Sequence, residues 1–370
     1  MNSQPPEIRV IISGGGTGGH IFPALAIANA LKSMNSNNKI LFVGAEGRME
    51  MEKVPAAGYE IVGLNITGIK RSASLSNLKV PFRIIGSLWK ARSVVRSFKP
   101  DVVVGVGGYA SGPLLFAASL MNVPTLIQEQ NSYAGITNRI LSRKAKKICV
   151  AYDKMDRYFP ADKITLTGNP VRQDIGSGKF SKDEALSHFG LKTGLKTVLV
   201  IGGSLGARTI NESFSFGWKD LADYGVQVLW QTGKAFFQEA RKLESESNDW
   251  LKVFDFIPRM DLAYTAADMI VSRAGASSLS ELAIVAKPAI LVPSPNVAED
   301  HQTKNAMALV EKHAAVMVSD KDARGNLISR LIQLLKDTDE CNRLKNEIAL
   351  LAKRDADKTI ALEVYRLSGK

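Results

Sequence analysis

The apolar positions of this chain fall into short solid runs that end at glycines, each followed by a stretch of helical period. Ile8, Val10, Ile11 and Ile12 form the first run, Gly14-Gly15-Gly16-Thr17-Gly18-Gly19-His20 interrupts it, and residues 21–34 carry the 3.6-residue repeat. Further short runs at 39–43, 101–105, 125–129 and 147–150 alternate with helical stretches, as expected of a parallel sheet covered on both faces. The alternation breaks around Thr167-Gly168-Asn169-Pro170-Val171-Arg172 and the polar stretch 173–182, which reads as an interdomain linker. It then restarts: 197–201 is again a solid apolar run, leading through Gly202-Gly203-Ser204-Leu205-Gly206-Ala207-Arg208 into a helical segment at 209–221. A third junction joins 268–272 through Arg273-Ala274-Gly275-Ala276-Ser277-Ser278 to a helix at 279–285, and 337–367 reads as amphipathic helix long enough to pass from one domain back to the other. The expectation is an α/β chain of two tandem Rossmann-like, doubly wound domains facing a cleft, at 1–168 and 169–351. A C-terminal helix at 352–370 is expected to return to the first domain.

Composition agrees with this reading and narrows it. A chain of 370 residues exceeds what one core usually sustains, and 45% hydrophobic with 23% charged residues is globular α/β composition. The start has no secretion signal, and no apolar run approaches the roughly 20 residues that span a bilayer. Cys149 and Cys341 have neither disulfide nor metal spacing, so buried reduced thiols and the cytoplasm are expected. A net charge of +12 implies polyanionic partners: nucleic acid, acidic lipid or phosphorylated substrate.

Glycine turns that open a helix bring free backbone N–H groups and the positive end of a helix dipole to a bound anion, for which phosphate is the natural guest. Any single turn serves helix packing equally well; three in one chain favour ligand binding. No Gly-Lys-Ser or Gly-Lys-Thr closes a nucleoside-triphosphate cradle, which argues against kinase or ATPase chemistry. Gly14, Gly16 and Gly19 have dinucleotide-fingerprint spacing with Glu46 as a candidate ribose acid, so an NAD-dependent enzyme stays open. His20, at a helix N-terminus where the dipole opposes protonation, suits a general base and equally a phosphate hydrogen-bond donor. Three Asp-x-Asp pairs, Asp320/Asp322, Asp337/Asp339 and Asp355/Asp357, fall in charged stretches that read as solvated surface. No metal or other cofactor is therefore expected, and a leaving diphosphate would rely on helix N-termini with Arg172 or Arg208.

Taken in order, the first glycine run, Gly107-Gly108-Tyr109-Ala110-Ser111-Gly112-Pro113, Gln128-Glu129-Gln130-Asn131, Gly168-Asn169-Pro170-Val171-Arg172, the second glycine run and Arg273-Ala274-Gly275-Ala276 closely resemble the MurG family. The resemblance implies the two-domain GT-B fold and inverting transfer of N-acetylglucosamine from UDP-N-acetylglucosamine to undecaprenyl-diphosphoryl-N-acetylmuramyl-pentapeptide. It makes His20 the favoured catalytic base and sets Thr17, Gly18 and Gly19 against the donor sugar and the acceptor diphosphate. Asn131 is implied to reach sugar hydroxyls, and Gly15, Gly16, Tyr109 and Asn138 to serve the acceptor. Arg172, Ser204 and Ala276, Ser277, Ser278, Leu279, Ser280 and Glu281 are assigned to UDP, with Ser278 near a phosphate and Glu281 on the ribose. Ile257 would meet uracil, and Gln302 would read the donor sugar, beside His301 where some members have glutamine.

Residues 61–100 contain eight Lys or Arg and no Asp or Glu, interleaved with Leu75, Phe82, Ile84, Ile85, Leu88 and Trp89. An interfacial element has this character, with cations at anionic head groups and Leu75, Phe82, Ile85 and Trp89 below them, although Ile84, Leu88 and Val95 also suit packing onto the sheet. The expected partners are the nucleotide sugar, the lipid-linked acceptor, an anionic membrane surface and cell-wall or division proteins. Nucleic acid is not among them, because no zinc-finger spacing or aromatic RNA-binding motif occurs. The alternatives are another glycolipid synthase, a UDP-N-acetylglucosamine epimerase and a non-catalytic nucleotide-binding membrane adaptor.

Overall fold

A computed structural model describes residues 5–66, 80–203 and 205–370. The chain separates into two compact units, Met1–Val171 with Arg354–Lys370, and Arg172–Lys353. In the first unit seven parallel strands, β1 (Arg9–Gly14), β2 (Lys39–Ala45), β3 (Glu60–Leu64), β4 (Val102–Gly107), β5 (Thr125–Glu129), β6 (Lys147–Val150) and β7 (Ile164–Leu166), lie in the order β3-β2-β1-β4-β5-β6-β7. Its helices are α1 (Gly18–Met34), α2 (Glu50–Ala56), α3 (Val80–Phe98), α4 (Ser111–Leu120) and α5 (Ile136–Leu141). Successive residues of β1 alternate between two cores: Val10 and Ile12 pack with Ile27 and Leu31, while Ile11 packs with Val103 and Leu114. A strand buried on both faces needs every position apolar, which is why these strands appear in the sequence as solid runs.

The second unit repeats the plan with six parallel strands, β8 (Lys196–Ile201), β9 (Val226–Gln231), β10 (Leu251–Phe254), β11 (Met269–Ser272), β12 (Ala289–Leu291) and β13 (Val316–Met317), ordered β10-β9-β8-β11-β12-β13. Around them lie α6 (Lys182–His188), α7 (Arg208–Asp223), α8 (Phe237–Glu246), α9 (Met260–Ala266), α10 (Ala276–Val285), α11 (His301–Val310), α12 (Asp320–Lys336) and α13 (Thr338–Leu350). Each sheet reverses its strand order once, between β1 and β4 and between β8 and β11, and ligands of such sheets bind outside the carboxyl ends at that point. All the glycine turns singled out above leave those strands.

The expected continuous helix over 337–367 is two helices. The chain breaks after Leu350, and α14 (Ala356–Ser368) packs on α1, burying Ile360, Ala361, Val364 and Tyr365 in the first unit's core. Tyr365 accepts a hydrogen bond from Asn38 Nδ2 at 2.7 Å. Cys149 is fully buried, which pushes its thiol up to about 12, whereas Cys341 is half-buried with Sγ on the Leu334 carbonyl.

Candidate active site

In the first unit two glycine turns interlock at the switch point. The Gly15 N–H donates to the Gly107 carbonyl at 3.3 Å, and Gly107 has φ of +110°, which disfavours any side chain there. A Cβ on Gly107 would lie 2.6 Å from His20 Cδ2, so the missing side chain is what lets the imidazole sit beside β4. His20 Nδ1 is 3.0 Å from the Gly15 carbonyl oxygen. A carbonyl can only accept, so a hydrogen bond there puts a proton on Nδ1, and in the neutral ring the lone pair is then on Nε2.

The amides of this loop divide into two sets. Gly16 N–H is taken by the Glu50 carboxylate at 2.9 Å and Gly15 N–H by the Gly107 carbonyl, so the N–H groups of these two residues, both expected at the acceptor, are engaged within the protein. The N–H groups of Thr17, Gly18 and Gly19, at the start of α1, have no acceptor among the described residues, and they are the amides available to an anion. Tyr109 is half exposed on the second turn.

The motif after β5 also divides. The buried Glu129 carboxylate accepts from Asn131 N–H (3.1 Å), Asn131 Nδ2 (3.2 Å), Gly135 N–H (3.2 Å) and Asn138 Nδ2 (2.8 Å). A carboxylate with four donors organises the 131–138 loop. Asn138, expected at the acceptor, is buried with its Nδ2 bound to Glu129. Gln128 Nε2 donates to Asn169 Oδ1 at 2.9 Å, and Asn169 Nδ2 to the Gln130 carbonyl at 3.0 Å, so these motif residues form an internal polar network. Glu46, the candidate ribose acid, is paired with Lys90 at 2.9 Å.

In the second unit the turn after β8 locks against the turn after β9. A Cβ on Gly206, whose φ is +80°, would fall 2.1 Å from the Thr232 carbonyl. Gln231 bridges this region, donating to the Gly203 carbonyl at 3.2 Å and accepting from Ile257 N–H at 2.9 Å. The Ile257 side chain is fully buried, so any contact with a base would come through its backbone. Arg273 closes the other side of the switch point. Its Nη1 donates to the carbonyls of Val292 (3.0 Å) and Pro293 (3.2 Å) and to Asp320 Oδ1 (2.5 Å), and Thr209 Oγ1 donates to Asp320 Oδ2 at 3.0 Å. Asp320 is therefore a structural anchor for the ends of β12, α12 and α7. With Asp357, which is buried, it corrects the reading of all three Asp-x-Asp pairs as solvated surface.

Helix α10 opens on Ala276, Ser277 and Ser278, whose N–H groups point out of its first turn. The Ser277 hydroxyl is buried without a hydrogen-bond partner. Ser280 donates to the Ala276 carbonyl at 3.1 Å, and the Leu279 side chain is buried in the core, so neither expected contact uses a free side chain. The Tyr264 hydroxyl donates to Glu281 Oε2 at 2.7 Å. Burial pushes the Glu281 carboxyl above the usual range, against that hydrogen bond and the nearby Arg172 charge, which pull it down. Gln302 Oε1 accepts from Ser294 N–H at 2.8 Å, which leaves its NH2 end to donate. Arg172 is exposed and paired with Asp174 at 3.5 Å, and Arg208 with Glu212 at 2.7 Å, so Arg172 is the cation whose charge reaches the Glu281 pocket. Among the described residues no group of three or more His, Cys, Asp or Glu is arranged to hold a metal ion.

Leu75, Ser204 and the Phe82 side chain lie outside the described residues. On α3, Ser87, Ala91 and Val95 face the protein while Ile85 and Trp89 are exposed, Trp89 by 71%. Ile84 is exposed too, contrary to its expected packing on the sheet. Sequence reasoning missed further exposed apolar side chains on the helices packed next to it: α3 packs on α4 and α4 on α5, where Leu120, Ile136 and Ile140 are exposed and Arg139, Arg143 and Lys144 lie close by in sequence. No periodicity could have found them, because their exposure depends on which helices pack side by side.

Residues 10–150 match the Glycosyltransferase family 28 N-terminal domain, and residues 197–360 its C-terminal domain. The chain is 56% identical over 367 residues to the UDP-N-acetylglucosamine--N-acetylmuramyl-(pentapeptide) pyrophosphoryl-undecaprenol N-acetylglucosamine transferase of Cytophaga hutchinsonii, covering 99% of this chain and 98% of that one. A protein of the same name from Parabacteroides distasonis is 55% identical over 98% of this chain and 99% of its own. Among solved structures, Acinetobacter baumannii MurG superposes with a TM-score of 0.79 at 27% identity, over 98% of this chain and all of that one. The UDP-GlcNAc 2-epimerase of Neisseria meningitidis bound to UDP-GlcNAc, at 16% identity and TM-score 0.67 over 97% and 99% of the two chains, shares the fold.

Proposed function

Because the chain belongs to the MurG family of GT-B glycosyltransferases, we propose that it transfers N-acetylglucosamine from UDP-N-acetylglucosamine to the undecaprenyl-diphosphoryl-N-acetylmuramyl-pentapeptide of peptidoglycan synthesis. The observation that carries the chemistry is the 3.0 Å contact of His20 Nδ1 with the Gly15 carbonyl, which in the neutral ring keeps the proton on Nδ1 and makes Nε2 the base. The acceptor hydroxyl loses its proton to Nε2 as its oxygen bonds the anomeric carbon. The bond from that carbon to the UDP oxygen breaks on the opposite face, and its electron pair leaves with UDP, so the configuration inverts. The amides of Thr17, Gly18 and Gly19 suit the acceptor diphosphate, and those opening α10, with Arg172, suit the diphosphate of UDP. Ionised Glu281 would accept from the ribose hydroxyls, Gln302 would donate to the sugar, and Asn131 and Tyr109 would line the sugar and acceptor sides. These groups supply the charge stabilisation that a divalent cation provides elsewhere.

Among the described residues no helix is long and apolar enough to cross a membrane. The α3–α5 face, with exposed Ile85, Trp89, Leu120, Ile136 and Ile140 among cations, supports peripheral attachment to an anionic bilayer, where the polyprenyl acceptor resides. Attachment at the cytoplasmic face, and links to cell division and cell shape through wall-synthesis partners, follow from that place in the reaction. Labelled UDP-N-acetylglucosamine and a short-chain lipid-linked muramyl-pentapeptide should yield labelled disaccharide in EDTA. No transfer to that acceptor, or consumption of the nucleotide sugar with no acceptor present, would overturn the assignment. Trp89→Glu should weaken sedimentation with phosphatidylglycerol vesicles and leave the rate on a detergent-dispersed acceptor unchanged.

A further inference from the structure

Beneath the first glycine turn lies a buried carboxylate that the proposed chemistry does not use. Glu50, the first residue of α2, is 1% exposed, and no ion pair with it occurs among the described residues. Its Oε1 accepts from Ala45 N–H at 3.0 Å and its Oε2 from Gly16 N–H at 2.9 Å. The loop is shaped around it: a Cβ on Gly15 would fall 2.2 Å from Oε1, and one on Gly44 would fall 2.5 Å from Cγ. A buried negative charge beneath an anion-binding turn opposes anion binding, so its placement calls for another role.

The geometry supplies one. The N–H that Glu50 takes and the carbonyl that His20 Nδ1–H meets, at 3.0 Å, are the two ends of one peptide unit, the bond between Gly15 and Gly16. We propose that Glu50 is a positioning residue acting on His20 through this peptide, in a carboxylate–peptide–imidazole relay. A carboxylate on the N–H end polarises the amide and strengthens its carbonyl as an acceptor, as hydrogen bonds in a chain reinforce one another. The strengthened carbonyl holds the proton on Nδ1, keeps Nε2 unprotonated and steadies the imidazolium formed when Nε2 takes the acceptor proton. Glu50 thus serves the part an aspartate plays when it bonds a catalytic histidine directly, with one peptide unit interposed. The Gly16 amide is given up to this task, and the Thr17, Gly18 and Gly19 amides are left for the anion.

The relay rests on His20 as base, and the test separates the two. Imidazole nitrogen chemical shifts of wild-type protein should show His20 protonated on Nδ1; protonation on Nε2 would overturn the relay. Glu50→Gln offers one acceptor to two amides and sets an NH2 against the other. With UDP-N-acetylglucosamine and the lipid-linked acceptor it should lower kcat by about ten- to hundredfold, as loss of groups that orient a reacting ligand does, with donor KM changed by less than about threefold and the His20 signals shifted. Glu50→Asp, which keeps the charge on a shorter arm, should recover part of the loss. Folded Glu50→Gln with kcat within about threefold of wild type and unchanged His20 signals would refute the relay while leaving His20 as base. If His20→Ala leaves kcat intact, it is the base reading that fails. Should Glu50→Gln not fold, the wild-type tautomer decides, supporting the relay if on Nδ1 and overturning it if on Nε2.

Discussion

The two glycine clusters are built on one plan and stiffened by different means. Each follows an interior strand of a parallel sheet, beside the switch point, opens a helix and interlocks with a neighbouring turn. The first closes around a carboxylate, Glu50, held by two backbone amides, and presents an imidazole. The second closes around a neutral amide, Gln231, and an ion pair, Arg273 with Asp320, and presents a carboxyl held by a phenol. On the proposed chemistry, the first cluster spends its charge on a proton acceptor, whereas the second balances its charges internally and leaves helix amides for the nucleotide. Similar loops are thus backed by different buried groups, and those groups are what the two proposed roles rest on.

The comparison breaks most sharply at His20. Its replacement by alanine should lower kcat by about 10²–10⁴-fold with little change in donor KM, measured by disaccharide formation at saturating donor. A nearly unchanged kcat would place the base elsewhere. In the second cluster, Asp320→Ala leaves the Arg273 guanidinium without its ion partner and should cost roughly 3 kcal/mol of stability, read as a lower denaturant midpoint, with weakened UDP binding. A variant as stable as wild type would remove Arg273–Asp320 as the clamp.

The two interlocking glycines sharpen the contrast. Gly206→Ala drives a Cβ into a backbone carbonyl and should destabilise the protein by about 1–3 kcal/mol, whereas Gly107→Ala pushes on the His20 ring and should lower kcat by more than its loss of stability explains. Equal effects on melting and turnover in both variants would erase the distinction. The smallest effect concerns Glu281. Its carboxyl is raised by burial, so the native state holds its proton more tightly and this group's contribution to stability is lost as pH rises through the raised value, while ribose recognition is gained over the same range. Tyr264→Phe removes a hydrogen bond to the ionised form and should move the acid limb of kcat/KM to higher pH, raising donor KM several-fold at neutral pH, about 1 kcal/mol. An unmoved limb would show that Glu281 does not set it.

Much of this was legible along the chain. Arg9–Gly14 and Lys196–Ile201 are visible as strands because burial on both faces leaves no polar position, and the glycine turns because no other residue tolerates such close backbone approach. Strands β3, β7, β9, β10 and β12 escaped notice: β7, β10 and β12 are three- and four-residue pairings that take their character from neighbouring strands, and polar Glu60, Gln227 and Gln231 interrupt the apolar runs of β3 and β9. The return of a C-terminal helix to the first unit was expected from about residue 352, but the non-helical turn that separates α13 from α14 was not, because both helices are amphipathic.

The sequence by itself determined the two-domain α/β plan, the glycine turns between strand and helix and the choice of candidate base, since these depend on local pattern and on residues with few substitutes. Tertiary structure alone decided which amides remain available, that Glu129 and Asn138 are internal, and that Glu50 and Asp320 stand behind the two sites. Those outcomes depend on side chains from distant segments competing for the same hydrogen bonds, and a linear pattern carries no record of that competition.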